Sequence, residues 1–143
     1  MTPELRAAAA HVLVDEVEVP VLDEASSHHL FRVLRVRDGE TVTVTDGAGA
    51  WRVCVASAGA IEPSSRVERV DRSARMLTVA CAIPKQDRPE WIVQKLTELG
   101  IDQIVLLHAD RSVVRWTDER ALKHLVKLRR VAAEALQQSR GVW

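Results

Sequence analysis

The sequence has only two cysteines, no long apolar run and no signal-peptide pattern. Cys54 and Cys81 belong to no Cys-x-x-Cys motif, so neither a disulfide framework nor a zinc ribbon is indicated. We expect two buried thiols in a reducing compartment. No apolar run approaches the ~20 residues that a membrane span needs, and the N-terminus lacks the basic-then-apolar order of a secretory signal. We therefore expect a cytoplasmic protein with no membrane partner.

Motifs that hold nucleotides or metals are also absent. No Gly-rich loop is followed by Lys-Ser or Lys-Thr, and no G-x-G-x-x-G is present, which excludes the two common phosphate-binding fingerprints. The five histidines show no metal-ligand spacing on one helix, so no metal site is expected. No Ser/His/Asp set can be argued from position.

The net charge is zero, but it is unevenly distributed. Residues 1–72 contain 8 Arg and 12 Asp or Glu, whereas residues 73–143 contain 12 Lys or Arg and 8 Asp or Glu. Residues 28–37 hold three arginines, two histidines and no acid, and residues 111–140 have a net charge of +5. Binding to phosphates depends on such local charge rather than on the total. A neutral sum therefore does not exclude a nucleic-acid partner.

The first 72 residues are rich in strand signals. Valines alternate imperfectly over 11–19 and clearly over 41–45, and Trp51, Val53 and Val55 alternate against Arg52 and Cys54. Asp46-Gly47-Ala48-Gly49 predicts a hairpin turn. A last strand is expected at about 66–72, after a loop that runs from Gly59 to Ser65. This spacing suggests a small antiparallel barrel or sandwich.

One helix is predicted within this strand-rich half. Ser26 or Ser27 is expected to cap it, and its buried side is expected to consist of Leu30, Val33 and Leu34. His28, Arg32 and Arg35 then share an exposed face. That face is either a solvated helix surface or a cationic ridge that binds a nucleic-acid backbone.

From residue 73 the pattern alternates between strand and helix. Apolar runs at 76–83 and 104–107 predict two buried parallel strands. A helix is expected to begin at Asp87, with Pro89 in its first turn, to bury Ile92, Leu96 and Leu99, and to end at Gly100. The last helix is expected to open at Thr117-Asp118-Glu119. Two strands make a poor parallel sheet, so this half looks like the opening part of a larger α/β domain.

Several segments resemble a known family. In chain order they are His29-Leu30-Phe31-Arg32-Val33-Leu34-Arg35 with Asp38-Gly39, Thr45-Asp46-Gly47, Lys85, Ile92-Val93-Gln94-Lys95-Leu96-Thr97-Glu98-Leu99-Gly100-Ile101, Arg111-Ser112-Val113-Val114 and Glu134-Ala135-Leu136-Gln137-Gln138-Ser139-Arg140. Their order and spacing resemble the RsmE family of 16S ribosomal RNA uridine-N3 methyltransferases, in the SPOUT (trefoil-knot) class.

The resemblance implies a fold and an activity. It implies a PUA-like antiparallel β-barrel that binds RNA over residues 1–72, and the N-terminal part of an α/β SPOUT methyltransferase domain over residues 73–143. The implied reaction is methylation of a uridine N3 in 16S ribosomal RNA with S-adenosylmethionine as cofactor. The implied partners are the small ribosomal subunit and a second copy of the chain.

The resemblance also implies two groups of site residues. The expected RNA-binding residues are Arg32, Arg35, Arg111 and Arg115. The candidates beside the substrate base are Gln138 and Arg140. Some of these patterns have simpler interpretations: Arg140 can complement a helix dipole, Lys95 and Glu98 can form a helix ion pair, and Trp51 can belong to the core.

This chain departs from the family at its C-terminal end. The family continues with a Gly-Pro-Glu-Gly-Gly segment and a Leu-Arg-x-Glu-Thr-Ala segment, which form most of the cofactor pocket and the knot. We therefore expect no cofactor-binding residues in this chain and no activity from it alone. A non-catalytic RNA-binding module and a dimerisation domain remain the alternative functions.

Overall fold

The computed structural model describes all residues from Met1 to Trp143 and divides the chain into two compact units. The first unit comprises residues 1–72 together with 140–143, and the second comprises residues 73–139. The four C-terminal residues thus belong to the first unit. No helix of either unit is both long enough and apolar enough to cross a membrane.

The first unit is built on a five-stranded sheet. Its strands are β1 (Ala10–Leu13), β2 (Thr41–Thr45), β3 (Ala50–Ser57), β4 (Ala60–Pro63) and β5 (Glu68–Arg69). β1 pairs in parallel with β2, β2 pairs antiparallel with β3, and β3 pairs antiparallel with both β4 and β5. The mixed α/β class is confirmed. The expected closed antiparallel barrel is not observed, because the sheet stays open and its first pair is parallel.

The turn between β2 and β3 forms as the sequence predicts. The Asp46 carboxylate accepts hydrogen bonds from the N–H groups of Ala48, at 2.7 Å, and of Ala50, at 3.0 Å. Gly47 and Gly49 take positive φ values of 67° and 95°, which glycine adopts without steric cost. The turn therefore fixes the register in which Thr45 faces Trp51.

The core of the first unit lies on one face of β2 and β3. Val42, Val44 and Cys54 are fully buried there, and burial raises the pKa of the Cys54 thiol to about 11. Trp51 is buried as predicted, but Val53 and Val55 are only half-buried. Cys54 lies on the opposite face of β3 from these three residues, because alternate residues of a strand point to opposite faces. That face is the one that packs against this core. Cys81, in the second unit, is half-buried.

Two short helical segments precede β2. Helix α1 (Pro3–Ala7) is capped by Thr2, and helix α2 (Glu24–His28) is capped by Asp23 rather than by Ser26 or Ser27. A π-helical turn over His29–Val33 follows α2 directly. Its Leu34 N–H donates to the His29 carbonyl at 2.9 Å, five residues back.

Because of this π-helical turn, the predicted buried side of the helix is wrong. Leu30 is buried, but Val33 and Leu34 are 56% and 47% exposed. In an α-helix all three would share one side, and the wider π-turn breaks that alignment.

Three predicted strand bounds are also corrected. β1 is shorter than the predicted 11–19 segment, β5 is shorter than 66–72, and β4 lies where a loop was expected.

The second unit has the predicted strand-helix-strand-helix order. It consists of β6 (Thr78–Ala82), α3 (Arg88–Glu98), β7 (Gln103–Leu107) and α4 (Asp118–Ser139). β6 and β7 pair in parallel, with Thr78 facing Gln103.

The boundaries of α3 follow the sequence more closely than its buried face does. Pro89 lies in its first turn and Gly100 follows its end with a φ of 74°, both as expected. The Asp87 side chain makes no capping hydrogen bond. Leu99 is 75% exposed, whereas Val93 is buried. Lys95 and Glu98 form the predicted ion pair, at 2.7 Å.

Candidate nucleic-acid interface

A cationic cleft lies at the carboxyl ends of the two parallel strands in the second unit. Its volume is about 610 Å³. Its lining includes Lys85, which follows β6, Arg88, the first residue of α3, and Arg111, which follows β7. Parallel pairing brings the ends of β6 and β7 to one edge, the usual place for a ligand in an α/β sheet.

The charge of this cleft is of one sign. Lys85, Arg88 and Arg111 are exposed, and no carboxylate lines the cleft with them. Aliphatic side chains, including Val113 and Val114, form the rest of its wall. Such a surface attracts an anion, and guanidinium groups bind phosphate oxygens with two parallel hydrogen bonds.

Arg115, predicted beside Arg111, does not line the cleft. It is exposed, and its guanidinium donates to the Asp110 backbone carbonyl at 3.3 Å. Next to it, the Trp116 N–H donates to His108 Nε2 at 3.1 Å, and the Trp116 ring stacks on His124 with a centroid distance of 4.0 Å. Arg115 therefore sits on a loop that is held by its neighbours.

Much of the positive charge of α4 is locally neutralised. Three of its cations form ion pairs: Lys123 with Glu119 at 2.8 Å, Lys127 with Glu90 at 2.6 Å, and Arg130 with Glu134 at 2.8 Å. The hydrogen bond from Lys127 lowers the pKa of Glu90, whose side chain is only 16% exposed. The predicted basic stretch is therefore less available to RNA than its net charge suggests.

Arg32 and Arg35 lie in the first unit, on or next to the π-helical turn. Both are exposed, and Arg35 has a positive φ of 56°. That conformation is uncommon for a residue with a Cβ.

The predicted base-side candidates, Gln138 and Arg140, have different surroundings. Gln138 is exposed near the end of α4. The guanidinium of Arg140 instead donates to the backbone carbonyls of Leu5 and Ala8, the latter at 2.9 Å. These carbonyls lie at the C-terminal end of α1, so Arg140 complements the dipole of that helix.

A second cavity in the same unit is mainly apolar. It has a volume of about 710 Å³, and Ile83, Val93, Ile104 and Leu128 contribute to its wall. Asp102 also lines it and already accepts a hydrogen bond from the Leu77 N–H at 2.8 Å. No group of three or more His, Cys, Asp or Glu side chains lies close enough to hold a metal ion.

The sequence prediction of site residues omitted Lys85 and Arg88. They lie three residues apart with Asp87 between them, so the net charge of this segment is only +1 and does not mark it. The available signals were the family resemblance, which includes Lys85, and position, since Lys85 follows the predicted strand and Arg88 opens the next helix.

Two models of known protein families match this chain, one in each of its parts. A family model described as the RNA methyltransferase domain matches residues 71–143, and one described as the RNA methyltransferase PUA domain matches residues 22–66. The ribosomal RNA small subunit methyltransferase E of Mycobacterium bovis is 35% identical over 132 residues, covering 90% of this chain and 50% of the relative. That of Bacillus subtilis is 32% identical over 117 residues, covering 78% and 46%.

A solved structure agrees with these matches. The ribosomal RNA small subunit methyltransferase E from Neisseria gonorrhoeae, bound to S-adenosyl methionine, has a TM-score of 0.74 and 26% identity, covering 92% of this chain and 58% of that one. The chain spans about half the length of the curated relatives it matches.

Proposed function

This chain belongs to the RNA methyltransferase family that includes ribosomal RNA small subunit methyltransferase E, and from that membership we propose that it binds 16S ribosomal RNA for methylation. The observation that carries the proposal is the cationic cleft. It lies within the segment that the RNA methyltransferase model matches, and it offers three exposed cations to a polyanion.

We propose that the two parts of the chain divide this work. Residues 1–72 act as a PUA-like RNA-binding domain, which the match over 22–66 supports. Residues 73–143 act as the N-terminal part of the methyltransferase domain. The proposed product is a uridine methylated at N3, formed in the cytoplasm.

The proposed residue roles combine the lining of the cleft with the family resemblance. Arg111, with Lys85 and Arg88, holds RNA phosphates, and Arg115 lies on the approach to them. Gln138 lies near the substrate base, where its amide can both donate to and accept from the uracil edge. Because the Arg140 guanidinium is already bonded to two backbone carbonyls, we assign Arg140 a structural role.

The cofactor proposed for the reaction is S-adenosylmethionine, which supplies the methyl group when bound. Its sulfonium is a cation, and the cleft carries three cations without a lining carboxylate. The cleft therefore suits RNA phosphate and does not suit this cofactor. In the apolar cavity, the carboxylate of Asp102 is already engaged by the backbone, and Asp118, the other acidic residue of the lining, is exposed in the first turn of α4. We therefore propose that residues 1–143 bind RNA without holding the cofactor alone.

A second candidate function is self-association through the second unit. On α4, Leu122 and Val126 are 65% and 71% exposed, and Leu125 is 41% exposed. An apolar stripe of this kind is typical of an interface. We propose that the chain pairs with a second copy through this segment, and its mass in light scattering distinguishes monomer from dimer.

The RNA proposal is tested by titrating the chain with RNA at increasing salt. Replacing Lys85, Arg88 and Arg111 by Gln should weaken binding and reduce the slope of log K against log salt by up to about 2, at ~0.7 for each phosphate of a single-stranded RNA that is no longer neutralised. The matched control replaces Arg120, Lys123 and Arg130 by Gln. It removes the same charges from α4, where two of the three are ion-paired.

The α4 control variant should retain most of the slope of log K against log salt. An equal loss in both variants would mean that only net charge matters and that the cleft is not the site. Absence of salt-dependent binding by the unaltered chain would overturn the proposed function. A non-catalytic RNA-binding module would give the same titration and would transfer no methyl group.

A further inference from the structure

We infer that residues 28–35 form a surface that binds unpaired RNA nucleotides, with arginines on phosphates and two aliphatic side chains on bases. The inference rests on the RNA binding proposed above and names the form of RNA that this part of the first unit recognises. We call these residues the π-turn surface. Its exposed members are His28, His29, Arg32, Val33, Leu34 and Arg35.

Six of the eight successive side chains of this segment are exposed. The two exceptions hold the segment in place: Leu30 is 1% exposed, and Phe31 packs against the core of the unit. All six exposed side chains lie within about two helical turns of one another. A single ligand can therefore contact cations and aliphatic groups together.

The π-helical turn is what exposes the aliphatic pair. Burying Leu30 in a regular α-helix would also turn Val33 and Leu34 inward, at i+3 and i+4. Here the bond from Leu34 N–H to His29 O spans five residues, and both side chains remain about half exposed. π-turns occur frequently at functional sites. The positive φ of Arg35 adds a second uncommon backbone feature directly after the turn.

Within the surface itself the charge is of one sign, because residues 28–35 hold two arginines and no acid. Arg32 and Arg35 form no ion pair. The nearest following carboxylates are engaged by backbone N–H groups: Asp38 accepts from Ala58 at 3.1 Å, and Glu40 accepts from Arg37 at 2.6 Å. Both guanidinium groups are therefore available to phosphate.

The aliphatic pair selects the form of the RNA. In an A-form duplex the base faces are stacked and inaccessible, so side chains reach mainly phosphates and 2′-hydroxyls. Unpaired nucleotides expose base faces, against which apolar side chains can pack. Val33 and Leu34 beside two arginines thus fit a single-stranded loop better than a duplex.

The test uses the full chain, a short unstructured RNA and a duplex of the same length. Val33→Ser with Leu34→Ser should weaken binding to the single strand about tenfold, since two apolar side chains no longer pack on bases. It should leave the salt slope and the duplex affinity unchanged. Arg32→Gln with Arg35→Gln should instead lower the slope for the single strand by about 1.4.

The matched control is Val19→Ser with Val21→Ser. These valines belong to the same unit and are 66% and 74% exposed, so the control should bind both RNAs as the unaltered chain does. Thermal unfolding verifies that each variant is folded. If the Val33/Leu34 variant binds the single strand normally, or weakens both RNAs equally, the inference is wrong while RNA binding stands. If the unaltered chain binds neither RNA, the proposed function fails, and the inference fails with it.

Discussion

At the scale of single residues, the arginines of the first unit serve two different purposes. The guanidinium of Arg52 donates to the carbonyl of Glu18 at 2.9 Å and to that of Ser65, and Arg140 binds two carbonyls in the same way. Arg32 and Arg35 are exposed and make no ion pair. Charge counts treat these residues alike, so sequence could predict a cationic segment but could not separate arginines that bind the backbone from those open to a ligand.

His11 links the sheet of this unit to the C-terminal residues. It is 5% exposed, its Nε2 donates to the Gly141 carbonyl at 2.9 Å, and its Nδ1 lies 2.8 Å from the Thr43 hydroxyl. A carbonyl can only accept, so the neutral ring must carry its proton on Nε2. Burial, and more weakly the charge of Arg140, lower the pKa of His11 below 6.5.

We predict that acid destabilises the first unit through His11. Because the folded pKa is lower than the unfolded one, the unfolded chain binds the extra proton first. The contribution of His11 is fully present above pH 6.5 and is lost as the pH falls from there through the folded pKa. The loss is at most about 1.4 kcal/mol per pH unit, measured as the free energy of unfolding in urea on either side of that value.

His11→Gln provides the control, since glutamine keeps a donor and an acceptor but does not titrate. The variant should lose less stability than the unaltered chain over the same pH range. Equal losses would show that carboxylates elsewhere cause the pH dependence and that His11 does not.

At the scale of elements, prediction succeeded where a local pattern is unambiguous. The β2–β3 hairpin was predictable because alternating valines flank an Asp-Gly turn whose side chain bonds its own backbone. The π-helical turn was not, since Leu30, Val33 and Leu34 have α-helical spacing. β4 was missed because Ile61 is its only buried residue and turn-forming residues surround it.

The residues of the candidate site also differ in how far the sequence could predict them. The family resemblance named Arg111, whose RNA role stays a prediction, whereas the cleft depends on the parallel pairing of β6 with β7, which brings Lys85 and Arg88 to the same edge. Such a meeting of strand ends is a tertiary property, and local charge does not reveal it.

The hairpin turn supports a prediction about Gly49. Its φ is 95°, and a Cβ built there would clash with the Trp143 ring and lie 2.7 Å from the Val70 carbonyl oxygen. Its N–H also donates to the Val142 carbonyl at 2.6 Å. Gly49→Ala should therefore lower the free energy of unfolding by about 3 kcal/mol or more, combining backbone strain with displacement of the C-terminal residues.

Gly59→Ala serves as the control, because it introduces backbone strain without a steric clash. Gly59 has a φ of 79°, and nothing lies within 4 Å of its Cβ position, so this variant should lose only about 1 kcal/mol. Urea unfolding measures both. Equal losses would mean that close packing of Trp143 at Gly49 contributes nothing to stability.

At the scale of the whole chain, the two units differ in how completely their strands are covered. Val42 and Val44 of β2 are 0% exposed, with hydrogen-bonded partners on both sides. β6 and β7 form a two-stranded sheet in which each residue is half-buried or exposed and none is fully buried. Stability rises with buried apolar area, so the second unit should open more easily than the first.

Amide hydrogen exchange tests this difference directly. The N–H groups of β2 and β3 should exchange only when the first unit unfolds as a whole, whereas those of β6 and β7 should exchange through smaller openings, roughly a hundredfold faster after correction for intrinsic rates. Both units are measured in one sample, so pH and temperature affect them alike. Equal protection of β2 and β6 would contradict the prediction. The expected gradient has a functional consequence, because the cleft of Lys85, Arg88 and Arg111 lies in the less stable unit and RNA bound there should slow exchange in β6 and β7 more than in β2.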